Sequence, residues 1–164
     1  MVEKPKDDLP KVDVMANLKK LDIELPTLSK PLANYVHTVR TGNLIYTAGK
    51  GPTRPDGSYY TGKLGDDLTV EQGQEAARLA GIRLLASLQA ELGDLNKVKR
   101  IVKVLGMVNA TPDFTEHSQV INGFSDLMVS VFGERGKHAR SAVGMSSLPV
   151  NIAVEIEMIV EVEE

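Results

Sequence analysis

The chain contains no cysteine and no tryptophan. Lack of cysteine rules out a disulfide framework, thiolate-bound zinc and a thiol nucleophile, and it suits a reducing compartment. With only three Phe and four Tyr, the core has to be assembled mainly from Val, Leu, Ile, Ala and Met. No apolar run approaches the ~20 residues that span a bilayer. Met1 to Asp8 alternates acids and lysines without an apolar stretch, which argues against a secretory signal, so a cytoplasmic protein is expected. A net charge of −3 supplies no positive field for nucleic acid or an anionic membrane.

Catalytic signatures are equally sparse. His37, His117 and His138 are scattered, none has a second ligand at metal spacing, and each reads as a surface or hydrogen-bonded histidine. No metal site is expected. Gly49-Lys50-Gly51 lacks the spacing of a phosphate-binding P-loop, and Ser146-Ser147 lacks the context of a serine nucleophile. Asp66-Asp67 reads as charge before a helix rather than a carboxylate dyad. Lys97, Lys99, Arg100 and Lys103 read as a solvated strand edge, because no aromatic ladder accompanies them for stacking bases.

What is present is organisation. At 164 residues, with 42% hydrophobic and 25% charged content, the chain matches an ordinary globular domain. Residues 1–31, punctuated by Pro5, Pro10, Pro26 and Pro31, read as an N-terminal arm with a short helix capped near Asp13. Residues 32–164 form the main domain. Tyr35 to Val39 and Leu44 to Ala48 flank Thr41-Gly42-Asn43, which predicts a β-hairpin, and Tyr59-Tyr60 could be a short returning strand. Thr69 with Gln72 fits a capping box, opening a helix that Gly93 stops. A strand is predicted over 98–108 and a second helix over 114–132, closed by Gly133.

The end of the chain is the most informative part. His138 to Val143 and the stretch around Val154 to Met158 read as two strands joined by the Leu148-Pro149 turn. Even positions from Val150 to Val162 are all apolar, whereas Asn151, Glu155, Glu157, Glu161 and Glu163 occupy odd ones, so one face is buried. Two helices then cover one face of an α+β sheet. The other face is too polar to collapse alone and too regular for random surface, which predicts a closed homo-oligomer.

Arg140 enters the first of these strands and Glu155 lies inside the second. If the strands pair, a guanidinium fork and a carboxylate frame a small acid-binding pocket. Arg140 has a second reading, a strand-end arginine salt-bridged to a glutamate. The pocket reading gains from Arg135, Lys137 and His138 beside it and from backbone N–H groups offered by Gly49 and Gly51. A half-buried Glu155 must find a partner or accept a raised pKa.

Ala139-Arg140-Ser141, then Leu148-Pro149, then Val154-Glu155-Ile156-Glu157 resemble the closing pattern of the RidA/YjgF family of reactive-intermediate deaminases, once labelled translation-inhibiting endoribonucleases (endoribonuclease L-PSP). The resemblance covers about residues 33 to 162. It implies a chorismate-mutase-like α+β fold related to the ferredoxin-like one, and homotrimers with an inner β-barrel and three intersubunit clefts. It gives Arg140 the substrate carboxylate and Glu155 the attacking water, with Tyr35, Gly49 and Asn122 lining the cleft. Ala142, standing where those deaminases carry a cysteine, keeps a backbone carbonyl for the water. Thr47-Ala48-Gly49-Lys50 departs from their T-S-G-Q, so a pocket hydroxyl is missing. The expected chemistry is hydrolysis of a small 2-imino acid or enamine, without cofactor because the imine is already electrophilic. The alternative is a non-catalytic binder of a small carboxylate metabolite. Endoribonuclease activity is disfavoured by the acidic balance.

Overall fold

Thr69 and Gln72 exchange both bonds of the expected capping box, and from there α2 runs unbroken over Val70–Leu92 to Gly93. The computed structural model describes residues 9–164. Residues 1–8, on which the secretory-signal reading and the start of the arm fall, lie outside the described residues. Within the arm, α1 (Val14–Lys20) is capped by the Asp13 carboxylate, which accepts from the Ala16 N–H. Its Val14 and Leu18 are buried in the main core. Arg135, itself buried, holds the arm down by donating to the carbonyls of Leu9, Pro10 and Val98.

The hairpin forms as β1 (Thr38–Thr41) and β2 (Leu44–Thr47), turning through Gly42 and Asn43. Gly42 takes φ +59°, a conformation that favours glycine in a two-residue hairpin turn. After α2 come β3 (Val98–Asn109), α3 (His117–Phe132), β4 (Ala139–Met145) and β5 (Val154–Val162). Tyr59 forms an isolated bridge with Thr53 and no longer strand.

The five strands make one mixed sheet in the order β1-β2-β5-β3-β4. Only β3 and β4 run parallel, as the intervening α3 crossover requires. The expected pairing of the last two strands is therefore wrong: β3 lies between β4 and β5, bonded to both. Strand neighbours are set by long-range closure, which a local pattern does not encode.

Alternation along β5 places Val154, Ile156, Met158, Val160 and Val162 under the helices, none more than 2% exposed. Val150 breaks the pattern expected of it. It sits at φ 49° in the Pro149–Asn151 turn and is 66% exposed, and Ile152, though buried, lines a cavity, so the helix-covered alternation begins only at Val154. A β-branched residue in the left-handed region is strained, and this one stands on the rim of a cavity.

Both long helices pack against each other and cover one sheet face, with Leu84, Leu88, Phe124 and Met128 fully buried between the layers. The opposite face is uncovered. It shows Val39, Tyr46 and Val143 to solvent, with Glu155, Glu157 and Lys103 among them.

Candidate functional site

The Arg140 side chain shares the helix-covered side with its β3 partner Val104 and reaches α3. Nη1 donates to Asn122 Oδ1 at 2.9 Å and to Ser125 Oγ at 3.1 Å, and Nη2 to the Ser118 carbonyl at 3.4 Å. Ser118, Asn122 and Ser125 stand at i, i+4 and i+7, a polar stripe along one side of the helix. That spacing is visible in the sequence, whereas Asn122 alone is named there, through the family resemblance. All three acceptors are neutral oxygens. Among the described residues Arg140 makes no ion pair, so the salt-bridge reading is overturned and its charge is left for something else.

Ser125 is held in turn by His138. The His138 Nδ1–H donates to the Gly136 carbonyl at 2.6 Å, which leaves Nε2 to accept from the Ser125 hydroxyl at 2.9 Å. Burial, with the Arg140 charge nearby, lowers the pKa of His138, although its bond to Gly136 opposes the shift. The neutral ring that results is the form this chain of bonds needs. Arg135 and Lys137 do not reinforce Arg140 as expected. Arg135 is spent on three carbonyls, and Lys137 pairs with Glu134 at 2.7 Å.

Glu155 occupies a different place. It points to the uncovered side, half-buried, into a cavity of about 330 Å³ shared with Tyr35, Gly49, Gly51, His37 and Lys50. A Cβ on Gly49 would lie 2.7 Å from Glu155 Oε2, so glycine is what makes room for the carboxylate. Burial, and secondarily the like charge of Glu157, push the Glu155 pKa up. Tyr35 is exposed at the mouth.

One protomer thus brings Tyr35, Gly49 and Glu155 together, and separately Arg140 and Asn122. Within one protomer the glycines lie beside Glu155 and apart from Arg140. Ala142 faces Gly106 across the β3–β4 pair and packs on the core beneath the α3 helix. Sequence reasoning missed Ser125 and His138 as supports of Arg140. It also missed Lys50 and Arg83 beside Glu155, because they are far apart in the chain.

A mixed five-stranded sheet with two long helices on one side defines a chorismate-mutase-like α+β domain. The chain belongs to the YjgF family. The family model described as "YjgF/chorismate mutase-like, putative endoribonuclease" matches residues 15–162. Protein TCP17 of Trypanosoma cruzi is 48% identical over 149 residues, covering 90% of this chain and 93% of that protein. The 2-iminobutanoate/2-iminopropanoate deaminase of Escherichia coli K12 is 32% identical over 130 residues, covering 76% of this chain and 84% of the deaminase. The crystal structure of Atu1372 from Agrobacterium tumefaciens, a protein described as of unknown function, superposes with a TM-score of 0.85 at 44% identity, covering 92% of this chain and 94% of that one. Among the described residues no helix is long and apolar enough to cross a membrane.

Proposed function

We propose that the protein hydrolyses small 2-imino acids, or their enamine tautomers, to 2-oxo acids and ammonia in clefts between subunits of a cytoplasmic homotrimer. One observation carries the proposal. Arg140 has an unneutralised charge on one edge of the protomer, and Glu155 has a half-buried carboxyl in a cavity elsewhere on it. Each is half of a site, completed when the edge of one copy meets the cavity of another. The uncovered sheet face, with Val39, Tyr46 and Val143 exposed, supplies an apolar surface for that meeting. Similarity to the deaminase of Escherichia coli supports the choice of reaction.

In this reading Arg140, oriented by Asn122 and Ser125, grips the substrate carboxylate with its remaining donors. Glu155 and the Ala142 carbonyl hold a water against the C=N carbon. The water oxygen bonds to that carbon while its proton moves through Glu155 to the nitrogen. The resulting carbinolamine then expels ammonia and leaves the 2-oxo acid. Tyr35 closes the mouth. Ala48 and Ala142 favour a second reading, carboxylate binding without turnover, because each lacks a polar side chain that could position reactants.

Ammonia release from freshly generated 2-iminopropanoate decides between them. Acceleration by purified protein is expected, and its absence with intact pyruvate binding establishes the binder instead. Because the carboxylate form of Glu155 accepts the proton, the rate is expected to fall as pH drops through the raised Glu155 pKa. The acid limb of kcat/KM then lies above the ordinary glutamate value of about 4.3, and Glu155→Gln removes it. Sedimentation is expected to give three times the chain mass. Tyr46→Glu, which puts a charge on the uncovered face, is expected to shift the protein to smaller species. An unchanged mass in the variant removes that face from the interface.

A further inference from the structure

The cavity that holds Glu155 has a second wall that the reaction above does not use. Lys50 leaves β2 with its main chain bonded both ways to Ile156, at 2.9 and 3.0 Å. The residue is 4% exposed, and Nζ gives one hydrogen to His37 Nδ1 at 2.5 Å. His37 is turned to accept it because Nε2–H is committed to the Ser29 carbonyl at 2.7 Å. Arg83 comes from α2 and gives one bond, to the Gly51 carbonyl at 3.2 Å. Both residues line the cavity with Tyr35, Tyr59 and Glu155.

Neither cation has a carboxylate within 4.0 Å among the described residues. Lys50 and Arg83, with the exposed Lys30 at the rim, therefore outnumber the single acid of this partly enclosed space, Glu155, and are not paired with it, an arrangement that costs stability unless a further anion relieves it. The tension is visible on Lys50, whose pKa falls to about 8 through burial and then the charge of Arg83.

We propose that Lys50 and Arg83 form a second anion-binding wall, which takes the far carboxylate of a dicarboxylic 2-oxo or 2-imino acid. This rests on the cleft reading given above, in which Arg140 of a neighbouring copy holds the near carboxylate. The volume of about 330 Å³ lies at the small end of the about 300–1,000 Å³ typical of ligand sites and suits a compact diacid. Charge-assisted bonds from two such donors are strong enough to dominate selectivity between acids of equal length.

Titration calorimetry of the native protein at neutral pH, with 2-oxoglutarate and the length-matched neutral-ended 2-oxohexanoate, tests it. 2-Oxoglutarate is expected to bind about 30-fold more tightly. Lys50→Gln and Arg83→Gln are each expected to remove most of that preference while leaving 2-oxohexanoate binding unchanged, with thermal melts confirming that both variants fold. Equal binding of the two acids by native protein, or a preference that survives both substitutions, overturns the second wall and leaves the cleft reading standing. Failure of 2-oxohexanoate to bind, or binding of both acids undiminished in Arg140→Ala, sinks the cleft reading and this inference with it.

Discussion

Arg140→Ala is expected to lower kcat/KM for imine hydrolysis by about two to three orders of magnitude. Two charge-assisted bonds at about 1.5–3 kcal/mol each set that scale, since each 1.4 kcal/mol is a factor of ten. The loss falls on binding and transition state together, so KM should rise as well as kcat fall. Arg140→Lys keeps the charge but not the planar fork. It cannot serve Asn122, Ser125 and a substrate carboxylate at once, and should recover only part of the loss. Steady-state ammonia release from generated imines measures both. A variant with Arg140→Ala that stays within threefold of the native rate removes the guanidinium from the reaction.

Gly123→Ala carries the largest expected effect on stability. Gly123 is in the middle of α3, where helix propensity alone would favour alanine by about 1 kcal/mol. Packing decides against it. A Cβ there would run into the carbonyl of Gln74 on α2, main chain that cannot rotate aside as a side-chain tip could. Relief requires the two helices to part, and overpacking of this kind costs up to about 3 kcal/mol or more, so the clash outweighs the propensity gain. A net loss of about 2 kcal/mol corresponds to a fall of roughly 4–8 °C in Tm for a chain of this size. Calorimetry at fixed protein concentration checks it, and a Tm at or above the native value would show that the helices can separate freely.

Some of this architecture was legible residue by residue. The capping box at Thr69, the stops at Gly93 and Gly133 and the alternation of Val154 to Val162 are local signals, and each produced the element it specified. The insertion of β3 between β4 and β5 was not legible, because strand order is decided by how an entire crossover packs. Val150 failed for a related reason. Its apolar side chain fits the alternation, but the turn around Pro149 claims its backbone. At the site, Arg140 and Glu155 stood out as charges within apolar strands. The meeting of Lys50 and Arg83 in one cavity was hidden, since it depends on how α2 packs across the sheet. The stripe of Ser118, Asn122 and Ser125 was open to reading, because helical spacing alone places the three on one side.

Arg135 fastens the leading segment through the peptide oxygens of residues 9 and 10, an attachment blind to which amino acids stand there. Related chains are thus free to drift in the strap itself while the clasp stays arginine, so variation at those two positions is no sign that the strap has come undone.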